Sequence, residues 1–148
     1  MRFITPFNIS LMYSNWAIIF HVLFLAGLMP NTFSIAFFVF FCGSCVVLYN
    51  QIVSPNFDSK KIFVIKAHII HILPMCIFLY CPIVWNWSVL FYTLGIYFLY
   101  MAAIGINPIW LYFNLFNINK VYEKQQTYGF PILSKSKIAK LLPDSLAI

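Results

Sequence analysis

Three histidines carry most of the chemistry that this 148-residue sequence offers. His68 and His71 stand three apart in an apolar run from about Ile62 to Tyr80. The run reads as a helix, and that spacing puts both imidazoles on one face. Lys66 lies just before them, Pro74 one turn beyond, and His21 sits in an earlier apolar run. Paired imidazoles there suit a metal pair or an acid–base site within a membrane, where ionisable side chains are functional candidates by default. A catalytic metal centre usually takes three protein ligands. The apolar runs hold no Asp or Glu to complete one, so neither a metal nor a cofactor is expected. The competing reading is structural. Neutral imidazoles would hydrogen-bond to neighbouring helices, or to the carbonyl freed because Pro74 lacks an N–H, while Lys66 reaches back toward water. The structural reading is preferred, and no catalytic residue is assigned. His68, His71 and His21 remain the candidates for an intramembrane enzyme acting on lipid.

Three further patterns invite chemistry. Cys42-Gly43-Ser44-Cys45 is a Cys-x-x-Cys, a redox motif in a thioredoxin-like setting. In the middle of an apolar run a thiolate is poorly solvated, and a stretch of small residues lets helices approach closely, so packing is expected. Asn107-Pro108 beside Gly105 reads as a helix break, a feature that lines sites in transporters. No matching break is evident elsewhere in the sequence. Tyr97 and Tyr100, with Asn107, could line a polar path for a small-solute carrier built as a homo-oligomer; aromatic packing is the plainer reading.

The elements that must hold these residues are apolar helices. Hydrophobic residues make up 63% of the chain and charged residues 8%, against about 25% charged in soluble domains. Apolar spans are expected over about 11–29, 33–52, 62–82 and 88–106, each near the ~20 residues that cross a ~30 Å hydrocarbon core. Pro30-Asn31-Thr32 and the stretch around Trp85-Asn86-Trp87 mark tight turns, the tryptophans reading as an interfacial belt. Pro74 should kink the third helix and Pro108 the fourth. Residues 107–119 are expected to extend the fourth helix beyond its kink; an interfacial helix and a fifth crossing are the alternatives. Residues 1–10 form a short stub and 120–148 a basic polar tail. The expected architecture is therefore an all-α integral membrane protein of four helices in two antiparallel hairpins, both termini on one side.

The basic residues support that topology. Arg2 lies at the start, Lys60, Lys61 and Lys66 near the middle, and Lys120, Lys124, Lys135, Lys137 and Lys140 in the tail. Four crossings gather the start, the middle loop and the tail on one side, and positive-inside bias makes that side cytoplasmic or its equivalent. The net charge of +6 then reflects loops and anionic lipid headgroups. A nucleic-acid footprint is not expected, because the lysines form no dense run with stacking aromatics. The tail lysines are the expected contacts for headgroups or a protein partner. The expected role is a non-enzymatic structural or assembly subunit of a larger complex in a virion or organellar membrane.

Overall fold

The computed structural model describes residues 6–53 and 61–115. Among these the chain is all-helical: α1 (Pro6–Ser10), α2 (Tyr13–Leu25), α3 (Phe33–Val53), α4 (Lys61–Ile77), α5 (Trp87–Ile104) and α6 (Pro108–Tyr112). Arg2, Lys60, Lys120, Lys124, Lys135, Lys137 and Lys140 lie outside the described residues. So do residues 116–119 of the expected extension. The helices α3 and α5 are long and apolar enough to cross a membrane. At 1.5 Å per residue α3 measures about 32 Å and α5 about 27 Å, whereas α2 measures only about 20 Å.

Two glycines decide where helices stop. Gly27 and Gly105 have φ of 73° and 80°, the left-handed region that a Cβ disfavours. At each, the glycine N–H and the following N–H fold back onto the last turn. Gly27 bonds Phe24 O and Leu28 bonds Leu23 O; Gly105 bonds Ala102 O and Ile106 bonds Met101 O. This is the Schellman closure, which satisfies carbonyls that a helix end would orphan. It corrects two expectations. The first apolar helix ends at Leu25 rather than near Met29; ahead of it, Leu11 and Met12 separate α1 from α2. The fourth helix is not kinked at Pro108. It terminates, and α6 begins afresh: Asn107 Oδ1 accepts the Ile109 N–H at 2.9 Å, and Pro108 occupies the first turn, where its missing N–H costs nothing. Pro74 does sit inside α4, and that helix continues to Ile77.

Asparagines also start α3 and α5. Asn31 Oδ1 accepts the Phe33 N–H ahead of α3, and Asn86 Oδ1 accepts the Val89 N–H of α5, the capping that spares orphan donors. The same two turns bond each other. Asn31 Nδ2 donates to Pro82 O, and Ser34 Oγ donates to Asn86 O. The principal core lies between α2, α3, α5 and α6 around Leu11, Ile35, Tyr97, Met101 and Leu111, while α3 pairs with α4 through Val47, Val64 and Ala67.

Candidate functional site

Each long helix buries one stripe. On α4 it runs Val64, Ala67, His71 and Pro74, and Phe78 continues it in the turn that follows, the three–four spacing of one helical face. His71 is thus carried inward to 5% exposure. His68, one turn away, is only half-buried. Facing His71 across the α3–α4 contact is Gly43. A Cβ placed there would lie 2.6 Å from the His71 Cε1 and 2.7 Å from its Nε2, so the glycine makes the space the ring occupies. Within the Cys-Gly-Ser-Cys run it is Gly43 that meets α4, while Cys45 is exposed; Cys42, Cys45, Cys76 and Cys81 are all free thiols.

His71 also lines two adjoining cavities. One, of about 270 Å³, is walled by Phe38, Val39, Leu94, Phe98 and Ile109 with Tyr13, Tyr97 and Tyr112. The other, of about 360 Å³, adds Asn8, Asn15, Lys66 and Ile70. Ser14, Gly43, Val46, His71 and Tyr112 border both. The Nδ1 of His71 is buried without a hydrogen-bond partner.

His21 does not join this site. Its Nδ1 is 2.7 Å from Thr32 Oγ1, and its ring meets Phe78 edge-on. Phe78 lies just past the end of α4, seven residues from His71, about 10 Å by helix rise. The described residues hold no cluster of three or more His, Cys, Asp or Glu placed to bind a metal. Lys66 is exposed and stands at the rim of the larger cavity.

A second break in the backbone, which the sequence did not advertise, lies beside the expected one. Leu11 and Met12 separate α1 from α2, and Leu11 is fully buried. Buried irregular backbone needs partners. Tyr97 of α5 donates its hydroxyl to Leu11 O at 2.6 Å, and the Tyr13 N–H donates to the Tyr112 hydroxyl of α6 at 2.8 Å. The other tyrosines are similarly engaged. Thr93 Oγ1 lies 2.9 Å from Val89 O, a bond only its own proton can make, so the Tyr13 hydroxyl, 2.7 Å away, donates to Thr93. Tyr100 pairs with Ser10, whose proton goes to Phe7 O. Tyr97, Tyr100 and Asn107, the residues of the conceivable solute path, thus spend these groups on the fold.

Asn50 is the buried polar residue that sequence reasoning overlooked. It is 2% exposed. Its Nδ2 donates to Tyr112 O at 2.7 Å, and its Oδ1 accepts the Leu115 N–H at 3.1 Å. It thereby binds the backbone at the end of α6 to α3. The Asn50-Gln51 amide pair near the end of an apolar run was the available signal. No protein-family model, curated protein or solved structure matches this chain.

Proposed function

We propose that the chain is a four-span integral membrane protein serving as a non-enzymatic structural subunit of a larger membrane assembly. One observation carries the membrane part: large apolar side chains cover the outside, while several polar ones are held inside beside the apolar core. The side chains held inside include His21, Thr32, Ser34, Asn50, His71 and Thr93, while Val22, Phe41, Ile52, Leu73, Leu79 and Leu99 face outward at 59% exposure or more. In water, large contiguous apolar surfaces are rare outside interfaces. In lipid, polar groups must be satisfied internally and apolar faces cost nothing. The hydrogen bonds between the turns at Asn31 and Asn86, and those joining Tyr13 and Asn50 to α6 at the other end, support two antiparallel hairpins. In this reading α1 and α2 cross together as a broken helix. Trp85 and Trp87, packed edge-to-face with centroids 5.0 Å apart, suit an interfacial belt.

The subunit role rests on the hydrogen bonds by which Tyr112, Tyr97 and Asn50 hold the backbone, and on the lysines of the loop and tail sequence, which suit a soluble partner or anionic lipid. Blue-native electrophoresis after mild detergent extraction tests it. Migration within a larger complex is expected; a freely migrating monomer without partners contradicts it. Resistance to carbonate extraction tests the membrane placement separately.

A further inference from the structure

We propose that the paired cavities beside His71 form a binding site for a single-chain anionic lipid. This site rests on the membrane placement argued above but not on the subunit role. The smaller cavity is an apolar slot between Phe38, Leu94 and Phe98, suited to an acyl chain. The larger is bordered by the exposed Lys66, its one cation among the described residues, which suits a phosphate or carboxylate headgroup. His71 stands between them, five residues beyond Lys66 and so about 7 Å along the helix axis. It is 5% exposed, its Nδ1 has no hydrogen-bond partner, and its ring borders both spaces. A buried imidazole left unsatisfied is costly in a helical interior. The ester or hydroxyl oxygens below a headgroup would engage it at that depth. Volumes of about 270 and 360 Å³ lie at the small end of ligand sites, which favours one chain over two.

The test is a native mass-spectrometric titration of the full chain in mild detergent. The probes are oleoyl lysophosphatidate, oleoyl lysophosphatidylcholine and inorganic phosphate, applied to wild type and three variants whose helical circular dichroism is checked first. One-to-one binding of lysophosphatidate is expected, at least tenfold tighter than the zwitterionic lipid and not displaced by millimolar phosphate. Lys66→Gln should weaken it about tenfold, as should Val46→Phe, which fills the shared border. His71→Phe should weaken it several-fold. Equal binding of the two lipids overturns the proposal. So does loss in Lys66→Gln with none in Val46→Phe, which marks surface adsorption, and so does displacement by phosphate. A chain that resists carbonate extraction yet binds no lysolipid also overturns it, while leaving the membrane placement intact.

Discussion

His71 occupies the volume that any side chain larger than hydrogen would need at Gly43. A Cβ at Gly43 falls 2.6–2.9 Å from three atoms of the imidazole, closer than van der Waals contact allows. The pairing fixes how near α3 and α4 come, and it places His71 at the border of both cavities.

Gly43→Ala should therefore behave against its helix propensity. Alanine gains about 1 kcal/mol over glycine within a helix, but overpacking a filled site costs about 1–3 kcal/mol. The expected net loss is about 1 kcal/mol in equilibrium unfolding in mixed micelles. In a His71→Ala background the same change should become neutral or stabilising. Strictly additive effects would show that the two residues do not share the site.

Asn50→Leu should detach the end of α6. It removes a donor from Tyr112 O and an acceptor from the Leu115 N–H, at about 1–3 kcal/mol for each buried bond lost. A loss of about 2–4 kcal/mol is expected, with faster amide hydrogen exchange at Leu115. Unchanged exchange there would mean that α6 is held by apolar packing alone.

Tyr97→Phe and Tyr92→Phe should separate cleanly. Tyr97 is 1% exposed and its hydroxyl serves Leu11 O, whereas Tyr92 is 72% exposed. The first change orphans a buried carbonyl and should cost about 1–3 kcal/mol; the second should stay within about 0.5 kcal/mol. Equal effects in thermal melting would remove the tyrosine clamp from the account.

Gly27→Ala isolates backbone conformation from crowding, because nothing lies within 4 Å of the added carbon. The left-handed φ alone should cost about 1–2 kcal/mol. Asn, which tolerates that region better, should lose less. A neutral alanine variant would indicate that the turn relaxes to negative φ.

Much of the local framework was legible in the chain. The apolar runs, the turn residues at Pro30–Thr32 and the interruption at Asn107–Pro108 act through near neighbours, so their effects are written into adjacent positions. The helix ends were less legible. Gly27 looked like part of a span because its neighbours are apolar, and only its left-handed backbone, closed by the Leu28 and Gly27 N–H groups, stops α2.

What composition and local pattern determined by themselves is the class: an apolar, helix-forming chain with polar punctuation. What tertiary structure alone decided is which polar group answers which. Tyr97 meets Leu11 across 86 residues, and Asn50 meets Leu115 across 65. Gly43 yields its space to His71, and His21 turns to Thr32 instead of joining His71. Periodicity tells a residue which face it is on, because helix geometry is local. It cannot name the partner on that face, because the partner depends on how whole helices pack.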